Sequence, residues 1–155
     1  MSHESVRLWL AEHAPDLPIV AVEESTATVA EAARALGVEP GRIAKTLAVR
    51  AGGEIFLLVA RGDSRLDNAK AKAAFGGRPR MLGPQETLEA TGHPVGGVCP
   101  FGLAQPLAVY CDVSLRPYDE VFPAAGSLTT SVRVAPERLA ALVSAEWVDV
   151  CRLPE

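Results

Sequence analysis

Apolar positions recur along this chain with two different periods. Val6, Trp9, Leu10 and His13 stand at i, i+3, i+4 and i+7, which predicts an amphipathic helix over 4–13. Pro15 and Pro18 close it. Ile19-Val20-Ala21-Val22 is a short β-branched run and predicts a strand. Thr28 and Glu31 are three residues apart before an apolar stretch. Such a pair caps a helix reciprocally: the hydroxyl accepts a backbone N–H while the carboxylate reaches back. The helix should run to Leu36 and stop at Gly37.

Beyond Pro40-Gly41 the period changes. Ile43–Val49 and Glu54–Ala60 are apolar, strand-like runs with Ala51-Gly52-Gly53 between them, which predicts a β-hairpin. Asp67 can cap a helix from Asn68 to Phe75, closed by Gly76-Gly77, and Gly83-Pro84 can open another short helix. Strands are expected near 107–112, 120–123 and 130–134, a last helix from Ala135-Pro136 through Val143, and a final strand from Trp147 to Cys151. Strands thus fall both in hairpins and between helices. That pattern predicts an α/β domain with a mixed sheet rather than a doubly wound parallel one. No repeat, low-complexity tract or linker interrupts the chain, so residues 1–155 are expected to form one domain.

Composition narrows the classes. No apolar run approaches the roughly 18 residues of a membrane span, and the first ten residues lack a signal-peptide pattern. A cytoplasmic protein without membrane contact is expected. Cys99, Cys111 and Cys151 are odd in number and form no C-x-x-C, so a disulfide framework or zinc site is not expected. His3, His13 and His93 are scattered, and neither a metal nor another cofactor is expected. The net charge is −4, which excludes a globally basic nucleic-acid binder. The charge is uneven, however. Residues 61–80 carry Arg61, Arg65, Lys70, Lys72, Arg78 and Arg80 against Asp63 and Asp67. A local basic face can bind phosphates on an acidic protein; it can equally be a solvated helix face.

Candidate chemistry concentrates in Gly96-Gly97-Val98-Cys99-Pro100-Phe101-Gly102. Glycines let backbone approach a ligand closely, and such a loop can turn N–H groups toward an anion or a carbonyl oxygen. It can also be a plain tight connection. Lys45 lies among Ile43, Ala44, Leu47 and Val49, and its ammonium must reach water, a partner or a ligand. Cys99 reads either as a nucleophile served by His93 or as a small side chain packed under the loop; no cysteine-hydrolase signature accompanies it. Ala124 to Ser131 is a second small-residue segment, with hydroxyls at Ser127, Thr129, Thr130 and Ser131. No G-x-x-x-x-G-K-[ST], G-x-G-x-x-G or G-x-S-x-G occurs, so ATP, dinucleotide and α/β-hydrolase readings lack their signals.

In order, Leu36-Gly-Val with Ile43-Ala-Lys-Thr-Leu, Arg65-Leu-Asp with Ala73, Thr91-Gly-His-Pro-Val-Gly-Gly-Val-Cys-Pro-Phe-Gly, and Ala125-Gly-Ser with Val134-Ala-Pro-Glu-Arg-Leu resemble the YbaK/ProX (EbsC) family of aminoacyl-tRNA editing domains. The resemblance runs from the helix at 28–37 through Leu142. It implies a compact α/β domain with a curved mixed sheet, or partial barrel, flanked by helices. It also implies trans-editing: hydrolysis of the ester of a mischarged aminoacyl-tRNA, with Ala-, Cys-, Ser- or Thr-tRNA as candidates and tRNA(Pro) leading. On this reading Lys45 and the N–H groups of Gly97, Val98 and Cys99 serve catalysis. Gly96, Pro100, Phe101, Gly102, Gly126, Ser127 and Ser131 would bind substrate, and Lys70, Lys72, Arg78 and Arg80 would steer the acceptor stem. The aminoacylated 3′ end of tRNA is the expected partner, with prolyl-tRNA synthetase a second, for a monomer or homodimer. Val22 and Ser131 stand where relatives specific for Cys-tRNA carry tyrosine and aspartate, which counts against a cysteine-specific role. Many members also have Ser or Thr where Cys99 stands. The alternatives are a non-catalytic binding module of the same fold and a thiol hydrolase using Cys99 and His93.

Overall fold

The β-hairpin is the axis of the molecule, and the computed structural model describes residues 2–154 around it. Strand β2 (Ile43–Ala51) pairs antiparallel with β3 (Glu54–Arg61) along its whole length. Gly52 and Gly53 form the two-residue turn at φ +58° and +80°. A turn of this kind, whose twist suits a hairpin, requires positive φ at both positions. β3 carries the apolar run Phe56–Ala60, buried throughout, because it has neighbours on both sides. β6 (Ala108–Asp112) lies parallel to its other edge, and β9 (Glu146–Val148) runs parallel to β6.

The outer edge of β2 is paired only in part. β5 (Arg80–Met81) pairs antiparallel with Val49 and Arg50, and β7 (Phe122–Pro123) pairs parallel with Ile43 and Ala44. Between them, Lys45 to Leu47 have no strand partner on that edge among the described residues. Two further two-stranded sheets flank this open, mixed sheet: β1 (Ile19–Ala21) with β8 (Thr130–Val132), and β4 (Arg65–Leu66) with β10 (Cys151–Arg152).

Among the described residues five α-helices lie about the sheets. α1 (Ser2–His13) buries Val6 and Leu10. α2 (Val29–Leu36) starts at Thr28, whose hydroxyl accepts the Glu31 N–H at 3.1 Å, and ends at Gly37 in the left-handed region. α3 (Asn68–Phe75) is capped by Asp67 accepting from the Lys70 N–H at 3.0 Å. α4 (Pro84–Thr91) and α5 (Pro136–Leu142) both begin with proline in the first turn, where its missing N–H would be unpartnered anyway. The main core lies between one face of the sheet, α1, α5 and the buried Cys99 and Phe101. A smaller core with Leu58, Ala60, Ala71 and Val150 fills the opposite face under α3.

One expectation is corrected. The strand foreseen from Trp147 to Cys151 is two strands, β9 and β10, on different sheets. Buried Asp112 accepts the Val150 N–H at 2.8 Å, and the Val150 carbonyl accepts the Asp67 N–H at 2.8 Å. These bonds carry the chain from one sheet to the next.

Candidate active site at the open edge of the sheet

A cavity of about 240 Å3 lies against the unpaired edge of β2. α2 supplies Val29 and Ala32; Met81 and Leu82 come from β5 and the residue after it. Gly96 and Val98 come from the glycine loop, Phe122 and Ala124 from β7 and its exit, and Ser131 from β8. The lining is mainly apolar, and Lys45 is its one charged residue.

The two small-residue segments meet. A Cβ on Gly97 would lie 2.9 Å from the Ser127 nitrogen and 3.2 Å from its Cα. A Cβ on Gly96, at φ +95°, would lie 2.7 Å from Leu128 Cδ2 and 3.1 Å from the Ala27 Cβ. No larger residue fits either position without displacing its neighbour. The Gly97 N–H donates to the Pro94 carbonyl at 2.9 Å and closes a turn. The N–H groups of Val98 and Cys99 have no protein acceptor among the described residues, and of the two residues only Val98 lines the cavity.

Lys45 stands at the cavity wall, and its ammonium donates to the carbonyl of buried Ser64. Burial lowers its pKa, while Cys151 and Asp63 act weakly in the other direction. No carboxylate forms a salt bridge with it among the described residues. An ammonium has three donors, so two remain for an anionic or carbonyl ligand.

Cys99 is fully buried, and desolvation pushes its thiol up to about 12. Its sulfur lies 3.6 Å from His93 Nε2. That nitrogen faces the Phe101 carbonyl at 2.7 Å, so it carries a proton and cannot accept one from the thiol. The pair is not arranged for nucleophilic attack. Pro100 and Phe101 are also buried, with Phe101 packed against Trp9 at 5.5 Å between ring centroids. Gly102 packs against the backbone of Ser5 and Val6 in α1. These three residues support the loop from behind and do not line the cavity. Ser127 bonds Thr130 Oγ1 at 2.6 Å and shapes its own turn. Gly126 and Ser127 line a separate groove beside α1.

Ser131 is buried on the cavity wall, whereas Val22 does not line it. Lys72, Arg78 and Arg80 are exposed, and Lys70 bonds Asp149 at 3.1 Å. Arg80 shares β5 with Met81 at the cavity rim. Two residues escaped the sequence reading. The Oγ1 atoms of Thr26 and Thr46 are buried without hydrogen-bond partners among the described residues, and both residues line the cavity. No sequence pattern marks them.

An open mixed sheet with two interlocked glycine segments beside a lysine-lined cavity is the architecture of an aminoacyl-tRNA editing domain. The sequence profile of that family, described as the aminoacyl-tRNA editing domain, matches residues 23–142, and the chain belongs to it. The chain is similar to the uncharacterized protein YwhH of Bacillus subtilis strain 168, at 45% identity over 154 residues and 98% of each chain. It is 31% identical over 121 residues, 76% of this chain and 73% of the other, to an Enterococcus faecalis protein assigned provisionally as the Cys-tRNA(Pro)/Cys-tRNA(Cys) deacylase EbsC. A crystal structure of a candidate trans-editing enzyme for prolyl-tRNA synthetase superposes with a TM-score of 0.90, at 36% identity and 97% of each chain. Among the described residues no helix is long and apolar enough to cross a membrane.

Proposed function

We propose that this chain is a trans-editing deacylase that hydrolyses the ester between a wrong amino acid and the terminal ribose of tRNA. tRNA(Pro) carrying a small amino acid is the leading substrate. One observation carries this reading: the same cavity is bordered by Lys45, by the glycine loop with its free Val98 N–H, and by an apolar wall that suits a small side chain.

The chemistry follows from these groups. Water, held and relieved of its proton by the neighbouring ribose hydroxyl, attacks the ester carbonyl carbon. The Val98 N–H at the cavity receives the developing oxyanion; one such donor is typically worth about 3 kcal/mol. Lys45 holds the terminal phosphate or the carbonyl region through its two free N–H donors. The C–O bond to ribose then breaks, and the ribose oxygen leaves with the proton that the attacking water gave up. Fixing attacker and ester together supplies much of the remaining acceleration. The need for such a site is physical. A synthetase pocket gains only about 1–3 kcal/mol from each methylene, so it admits smaller amino acids that a second site must then clear.

Deacylation of Ala-, Cys-, Ser- and Thr-tRNA by the purified chain tests the reading. At least one should be hydrolysed, with Ala-tRNA(Pro) expected first. Lys45→Ala should lower kcat/KM by at least about a hundredfold, as loss of a transition-state donor does, while thermal unfolding stays close to wild type. No turnover on any of the four would leave a binding module. Full turnover by the folded Lys45→Ala variant would remove the lysine from the mechanism.

A further inference from the structure

The cavity wall contains an unsatisfied polar cluster at Thr46. The hairpin register sets its backbone direction. The Ala48 carbonyl accepts the Leu82 N–H at 3.0 Å across the outer edge of β2, and Ala44 faces β7 on the same edge. Alternate residues of an antiparallel strand point their N–H and C=O groups to the same edge. Thr46 lies between these two and so aims both groups outward, into the three-residue gap. No protein group pairs with either among the described residues. Its side-chain Oγ1 is also buried and unpartnered. Thr26, itself only 6% exposed, brings a second orphan hydroxyl to the same cavity.

Buried polar groups without partners are uncommon and costly in folded proteins. Three of the four groups here (two hydroxyl oxygens and the Thr46 carbonyl) can accept hydrogen bonds. Among the described residues no Asp or Glu lines the cavity, so its acceptors are neutral oxygens, and of the side-chain oxygens those of Thr26 and Thr46 are the ones buried without a partner. The ligand that complements them is a small group rich in N–H donors attached to an ester.

We propose that Thr46, with Thr26, is the recognition element for the α-ammonium of the aminoacyl ester. This deepens the editing reading above and rests on it. The ammonium donates to the Thr46 carbonyl and to the two hydroxyls, while the Thr46 N–H remains for an ester oxygen. A threonine exchanges its hydroxyl and methyl positions by one χ1 step, so either hydroxyl can turn into the cavity once a donor arrives. Specificity then has two parts: the acceptor cluster demands a free amino group, and the apolar walls limit the side chain.

Thr46→Val and Thr26→Val keep side-chain shape and remove only the hydroxyl. Because neither hydroxyl has a partner in the free protein, thermal stability should stay level or rise. On Ala-tRNA, Thr46→Val should lower kcat/KM roughly tenfold, the usual loss of a hydrogen bond to a charged group, and Thr46→Ser should restore it. On N-acetyl-Ala-tRNA, wild-type turnover should already be low and Thr46→Val should reduce it no further. Wild-type-like kcat/KM for both valine variants, or an equal loss on both substrates, would overturn the proposal. If no tRNA is deacylated at all, the editing reading fails separately. The inference is then judged on the Kd of a non-hydrolysable 3′-alanylamido-adenosine, and equal values for wild type and Thr46→Val would overturn it.

Discussion

Burial, not a neighbouring charge, decides the chemistry of Cys99. With its thiol pushed up to about 12 against roughly 8.5 in an unfolded chain, it stays protonated throughout the neutral range. The consequence is a defined pH dependence of stability. Below roughly pH 8.5 both states hold the proton and the thiol adds no slope. Above it the unfolded chain releases the proton first, so stability falls as pH rises toward 12, by about 1.4 kcal/mol per pH unit for this group. In denaturant melts, Cys99→Ser should therefore lose roughly 2 kcal/mol less than wild type between pH 7 and pH 10. A parallel loss would show that the thiol is not held neutral. The same variant should keep most of its deacylase activity, because the proposed mechanism uses the loop's backbone N–H and not the sulfur. Lys45 and the glycine loop were legible from residue type alone: a lysine in an apolar strand and three glycines in seven residues are local oddities. Thr26 and Thr46 were not, because a lone threonine is ordinary and its missing partner is a property of the packed molecule.

At the scale of elements, local signals in the chain carried far. The Thr28–Glu31 and Asp67 caps and the Gly37 stop sit where the sequence puts them. Each is a contact between near neighbours. The two-residue strands β4 and β5 leave no such trace. They exist because β10 and β2 are already in place to pair with them. The break between β9 and β10 was hidden for the same reason, since Asp112 reaches Val150 across 38 residues. The contact between the two glycine segments has a sharper test. Gly97→Ala places a methyl 2.9 Å from the Ser127 nitrogen, against backbone that cannot swing aside as a side chain can. It should destabilise the fold by about 1–3 kcal/mol, the usual range for overpacking, and reduce turnover further by displacing the Val98 N–H. A variant of wild-type stability and rate would mean that the segments can separate freely.

Across the whole molecule, the overall charge of −4 conceals an uneven distribution. Lys72, Arg78 and Arg80 are exposed and free of salt bridges among the described residues, and β5 carries Arg80 to the cavity rim. Replacing all three with glutamine should weaken tRNA binding. It should also flatten the dependence of log affinity on log salt by up to about 3 units, since each neutralised phosphate adds nearly one. An unchanged slope would place the acceptor stem on another face. Lys70 should contribute less, because Asp149 already engages it.

The gap in the edge of β2 has one more consequence. Exposed strand edges invite foreign strands, and proteins usually blunt them with charge, proline or a cover. Here β5 and β7 act as bookends that leave about 10 Å of open edge, at roughly 3.3 Å per residue. Only Thr46 turns its backbone outward in that span, so an intruding peptide would find one pairing position and two walls. The opening is too short to seed aggregation, yet long enough for one amino acid. Lengthening β7 by two residues would carry its pairing to Thr46 and seal the gap. In this fold the capacity to hold a ligand depends on two strands stopping early.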